Sequence, residues 1–146
     1  MPALDRKKAA EWIARVVLAA VFVAAAVPKL SDLASFAADV RNYRMLPDAA
    51  APWLATIVPC VELAIAAALL VDRWVRGAAV VAWGLLAAFS LAMGQALVRG
   101  INIDCGCFGS ATATAVSWKT LLRNAALLAV ATYAFLAAHR RLRRDP

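Results

Sequence analysis

Four apolar runs, at 11–30, 52–71, 77–98 and 119–138, dominate the chain, and short polar stretches separate them. A helix of about 20 mostly apolar residues crosses the roughly 30 Å of bilayer hydrocarbon. In hydrocarbon every backbone N–H and C=O must be paired within the segment, so such runs become helices. The expected fold class is all-α: a polytopic membrane protein, one membrane domain over residues 1–146, built as a four-transmembrane-helix bundle. Composition argues against a soluble core. The chain is 64% hydrophobic and 17% charged, against about 45–50% and about 25% in soluble domains. The first run closes at Pro28-Lys29-Leu30; its basic start and Ala24-Ala25-Ala26 are shared with secretory signals. Glu11 and Arg15 interrupt it, so we expect it to be retained as a span.

Basic residues are spread unevenly over the connections. One side holds Arg6, Lys7, Lys8, Arg73, Arg76, Arg140, Arg141, Arg143 and Arg144; the other holds Lys29, Arg41, Arg44, Arg99 and Lys119. Cytoplasmic segments carry the Lys/Arg excess. Both termini are therefore expected in the cytoplasm, in a multi-pass protein of the cell (cytoplasmic) membrane, with the loop 99–118 extracytoplasmic. Topology also accounts for the net charge of +7. No nucleic-acid partner is expected, because no polar segment interleaves a Lys/Arg stripe with stacking aromatics; the expected surroundings are the lipid bilayer.

The connections differ. Asp72-Arg73-Trp74-Val75-Arg76 reads as a tight hairpin. In 31–51, Leu33, Phe36 and Val40 recur at helical spacing, which predicts a short amphipathic helix lying on the membrane. Small residues at Ala64 and Ala68, Gly84 and Ala88, and Ser90 and Gly94 favour close helix packing.

The segment Asp104-Cys105-Gly106-Cys107-Phe108-Gly109 carries the clearest chemistry. Two cysteines with one residue between them close a disulfide only in a small, strained ring, and strain makes a disulfide more oxidising. Gly106 relieves part of that strain by accepting backbone angles closed to other residues. On the oxidising side of a membrane such a pair suits thiol–disulfide exchange. Two other readings remain open. The thiolates could bind a soft metal such as Cu(I) or Zn, although a two-thiolate site is incomplete and His139, the only histidine, lies at the far end of the last run. The pair could also be a structural disulfide, but closing so short a loop removes little chain entropy. Asp104 disfavours a thiolate beside it, and Arg99 and Lys119 could oppose it.

Within the spans, Glu62 is the conspicuous ionisable residue. A carboxylate at that depth is costly and is paired, neutral or functional. Arg123, with Asn124 beside it, is the nearest candidate partner by depth. Glu62 then either relays protons, or lines a polar pocket for an electron carrier, or ties helices together. Cys60, after Pro59, is expected to be a buried apolar filler. Lys29 is expected to snorkel to the interface.

With these residues in view, the chain resembles the MauE/DoxX-like redox-associated membrane proteins, and among them the MauE family of methylamine utilisation. The resemblance covers nearly the whole chain. It rests on Lys29-Leu30, Tyr43-Arg44-Met45-Leu46-Pro47, Glu62, the Cys-Gly-Cys-Phe-Gly loop at 105–109, Ser117-Trp118, and Leu121-Leu122-Arg123-Asn124. It implies a four-helix membrane bundle that transfers electrons or forms disulfides with an extracytoplasmic, thioredoxin-like partner or redox enzyme.

The leading functional expectation is a thiol–disulfide oxidoreductase or its electron-relay subunit, with Cys105, Cys107, Glu62 and Arg123 as its working residues and no resident metal. No Rossmann, P-loop or haem-attachment pattern is present. No covalently bound cofactor is therefore expected, and a membrane quinone is the expected carrier. The alternatives are a Cu(I)-handling membrane protein and a non-catalytic subunit of a larger redox complex.

Overall fold

The computed structural model describes residues 2–101 and 116–142. Five α-helices make up the described chain: α1 (Pro2–Ser31), α2 (Leu33–Asn42), α3 (Ala51–Leu70), α4 (Val75–Val98) and α5 (Trp118–Leu142). A 3-10 turn, Asp48–Ala50, leads into α3. Among the described residues there is no strand. The helices α1, α3, α4 and α5 are each long and apolar enough to cross a membrane, so the fold class is as expected. The helices depart from the expected spans at their ends, α1 most of all: it begins at Pro2 and runs through Pro28 to Ser31.

The four long helices pack in chain order around a ring, α1 on α3, α3 on α4, α4 on α5 and α5 on α1. Each runs antiparallel to the next. Both termini therefore approach one end of the bundle, together with the α3–α4 turn; this is called the terminal end below. Ser31, Ala51, Val98 and Trp118 mark the other, the loop end. Exposed tryptophans mark both levels: Trp12 and Trp74 toward the terminal end, Trp53 and Trp118 at the loop end. Indole rings favour membrane–water interfaces.

Buried positions in each long helix recur every three or four residues, as one helix face requires. In α1 they include Glu11, Ala14, Arg15, Leu18, Phe22, Ala26 and Lys29; in α3, Ala51, Ala55, Pro59, Glu62, Ile65 and Leu69. The central cluster joins Leu18 and Phe22 to Ile65, Leu69, Ala78, Ala82, Leu86, Ala131 and Ala134. Many of these are alanine, which lets backbones come close where lipid supplies no hydrophobic drive for association. Larger apolar side chains such as Ile13, Val16, Ile57, Val81 and Leu91 face outward.

The predicted short helix exists as α2. Asp32 caps it by accepting a hydrogen bond from Ser35 N–H at 2.9 Å. Its packing differs from expectation. Phe36 and Ala37, with Val40 alongside, pack on Ala51, Ala55 and Val58 of α3 rather than on lipid, while Leu33 stays exposed. Beyond the Lys29–Glu62 contact, α2 packs beside the first turns of α3. α4 ends in a Schellman motif: Gly100 adopts φ +64, Gly100 N–H donates to Leu97 O and Ile101 N–H to Ala96 O. Glycine tolerates that left-handed conformation, and it ends the helix shortly before the Cys-Gly-Cys segment.

Candidate functional site

Cys105 and Cys107 lie outside the described residues, but both flanks of their segment stand at the loop end. Below that end the four spans enclose the polar group that the apolar runs concealed. Lys29 Nζ donates to Glu62 Oε1 at 2.5 Å, and the two side chains are 0% and 2% exposed. The partner of Glu62 is thus Lys29, not Arg123. Lys29 does not snorkel: it sits in the last turn of α1, on the face that carries Phe22 and Ala26 inward. The rings of Phe36 and Phe89 each lie 5.1 Å from its ammonium, within cation–π range. Prolines flank the pair, Pro28 in α1 and Pro59 in α3. Each lacks the N–H that would bond four residues back, a local irregularity tolerated in a span where the surroundings re-satisfy the backbone.

The inward orientation expected for Glu62 holds. Glu62 lines a cavity of about 30 Å³ together with Phe22, Leu86, Phe89, Arg123, Asn124 and Leu127. Glu62 Oε2 is buried and has no hydrogen-bond partner among the described residues. Arg123, near the start of α5, is largely exposed yet borders this cavity. Asn124 is buried, and its amide donates to Leu86 O at 2.8 Å and Ser90 Oγ at 2.7 Å, joining α5 to α4. Arg123, Asn124 and Glu62 therefore share one small volume without Arg123 being the counterion.

A second buried charge group lies toward the terminal end, and sequence reasoning gave it no role. Arg15, 0% exposed, donates from Nε to Leu69 O and from Nη1 to Asp72 Oδ1, both at 2.7 Å. Glu11 Oε1 is 3.8 Å from the same nitrogen, and the guanidinium lies 4.8 Å over Trp12. It thus caps the carbonyl end of α3, where the helix dipole is negative. A signal was available: Arg15 and Asp72 approach the same end of adjacent antiparallel spans.

Cys60 is exposed on the outer face of α3, away from the polar group, so it is not the buried filler the sequence suggests. Among the described residues, no group of three or more His, Cys, Asp or Glu side chains converges. Outside the spans, Tyr43 closes α2; burial, then the charge of Asp39, pushes its phenol up to about 12.

Comparison with known proteins places this arrangement. The family model described as methylamine utilisation protein MauE matches residues 7–137. Methylamine utilization protein MauE of Paracoccus denitrificans is 44% identical over 121 residues, 82% of this chain and 65% of that protein. The Paracoccus versutus protein of the same name is 42% identical over the same shares, and that of Methylorubrum extorquens 36% identical over 77% of this chain and 61% of its own length. The chain thus spans just under two thirds of the curated relatives it matches. No solved structure matches it.

Proposed function

We propose, from the premise that this chain belongs to the methylamine utilisation protein MauE family, that it is a multi-pass cytoplasmic-membrane protein serving methylamine utilisation as a thiol–disulfide redox relay. Cys105 and Cys107 exchange with an extracytoplasmic, thioredoxin-like partner or redox enzyme, and electrons pass between that pair and a membrane quinone. The observation that carries the reading is positional. The Cys-Gly-Cys segment joins α4 to α5 at the end of the bundle beneath which all four spans converge on a buried carboxylate with a spare oxygen. A dithiol segment joined to the end of the bundle nearest an ionisable interior suits coupled electron and proton transfer.

The quinone supplies two-electron, two-proton chemistry in the lipid phase. The face between α1 and α3 carries a groove of about 800 Å³, lined by apolar residues including Ala20, Ala24, Leu63 and Ala67, which suits an isoprenoid chain. The positive-inside asymmetry puts both termini in the cytoplasm.

Thiol trapping in intact cells tests the whole reading. A membrane-impermeant reagent should label Cys105 and Cys107 after reduction and fail to label them in untreated membranes. Equilibration with glutathione should give a potential above about −300 mV, the ceiling for structural disulfides. Labelling only after lysis would overturn the topology, and a potential below that ceiling would overturn the exchange role.

A further inference from the structure

The carboxylate of Glu62 is half used. Oε1 accepts from Lys29, while Oε2 is buried without a protein partner. An ion pair that only ties helices together is stable at such depth when its remaining lone pairs are also satisfied. The cavity that Glu62 shares with Arg123 and Asn124 measures about 30 Å³. A water needs about 10–15 Å³ by this measure and two or more polar partners, so the site accommodates one or two waters.

We propose that Glu62 is an intramembrane proton-exchange site, acting through water held between its Oε2, Arg123 and Asn124, and that it serves the Cys105–Cys107 couple. This inference rests on the redox reading above. The ionisable groups around the carboxylate are Lys29 from α1 and Arg123 from α5; α2 contributes Phe36 beside Lys29, and α4 contributes Leu86 and Phe89. When Glu62 takes a proton, the Lys29 ammonium keeps the two ring faces of Phe36 and Phe89, so neutralising the carboxylate does not strand a bare cation. The chemistry balances. Oxidation of the dithiol breaks two S–H bonds, forms one S–S bond and releases two electrons and two protons. A lipid-dissolved quinone takes both electrons and both protons as the co-reactant. Glu62 holds one of those protons between the sulfur it leaves and the carrier it joins, and the reverse reaction returns it.

The chain has two glutamates, Glu11 and Glu62, which makes a direct test available. Glu11→Gln protein made by cell-free synthesis with carbon-13 glutamate, with conversion to glutamine blocked, carries the label at residue 62 alone. In proteoliposomes, the dithiothreitol-reduced protein is oxidised by decylubiquinone while infrared difference spectra are recorded. The isotope-shifted carboxyl band should change as the dithiol is oxidised. Glu62→Gln should slow quinone reduction roughly 100-fold and flatten its pH profile, and Glu62→Asp should restore part of both. A static band during turnover overturns the proposal even if Glu62→Gln does not fold; so does a folded Glu62→Gln protein with the wild-type rate and pH profile. Absence of turnover in the wild-type protein overturns the redox reading itself, and is seen before any variant is compared.

Discussion

Lys29 Nζ lies 2.5 Å from Glu62 Oε1, joining two spans across 33 residues of sequence with both side chains buried. Both side chains are withdrawn from bulk solvent, so each depends on the other more than a surface pair does.

Removing one partner should therefore cost more than removing both. Lys29→Met or Glu62→Leu alone should destabilise the bundle by about 3–5 kcal/mol, and the double variant should recover most of that loss. Reversible unfolding in mixed micelles measures the cycle. Additive single effects would show that the pair does not act as a unit.

The Arg15 group should respond asymmetrically. The Asp72 side chain is 68% exposed, so Asp72→Asn should cost less than about 1 kcal/mol. Arg15→Ala removes the donor to Leu69 O and the buried cation that faces Glu11, and should cost about 3–5 kcal/mol. The same unfolding assay compares them, and equal losses would contradict the assigned geometry.

Cys60 should report lipid. In a Cys105→Ser, Cys107→Ser background, a spin label on Cys60 should be relaxed strongly by oxygen and weakly by a water-soluble nickel complex. The reverse preference would turn this face of α3 inward.

Tyr43 should resist alkali. Its phenol stands at about 12 in the folded chain against an ordinary value of 10.0. The neutral ring's contribution to stability is thus fully present below pH 10 and is lost as pH rises through about 12. The difference spectrum between wild type and Tyr43→Phe should show phenolate only toward that upper value; phenolate appearing near pH 10 would exclude the buried setting.

The sequence revealed more of the fold than of the site, for a physical reason. Length and apolarity alone specify a span, so α1, α3, α4 and α5 are visible as long apolar runs. Which way each span faces is not, because Val16 toward lipid and Leu18 toward the core are alike in hydrophobicity. Glu62 was legible as an interior residue, since a carboxylate does not face hydrocarbon cheaply. Its partner was not. Depth along α5 pointed to Arg123, whereas Lys29 looked like an interfacial residue because Pro28 suggested that α1 had ended. The helix instead runs through Pro28 to Ser31, and α2 fills the space above it. The pattern that recovers Lys29 and Arg15 is the three-to-four-residue stripe of α1, which both occupy together with Leu18, Phe22 and Ala26.

That stripe has a consequence for biogenesis. α1 leaves the ribosome carrying Arg15 and Lys29 before Glu62 and Asp72 have been translated. An unpaired cation within a nascent span costs up to about 2.5–3.5 kcal/mol on insertion, and less toward the span's end, where Lys29 lies. At about 5–20 residues per second, Glu62 follows Lys29 by about 2–7 s. During that interval α1 carries two cations whose partners have yet to leave the ribosome, a cost that pairing with α3 removes. The polar seam between α1 and α3 is therefore completed only once translation has passed Asp72, and α2 is the connection across which Lys29 meets Glu62.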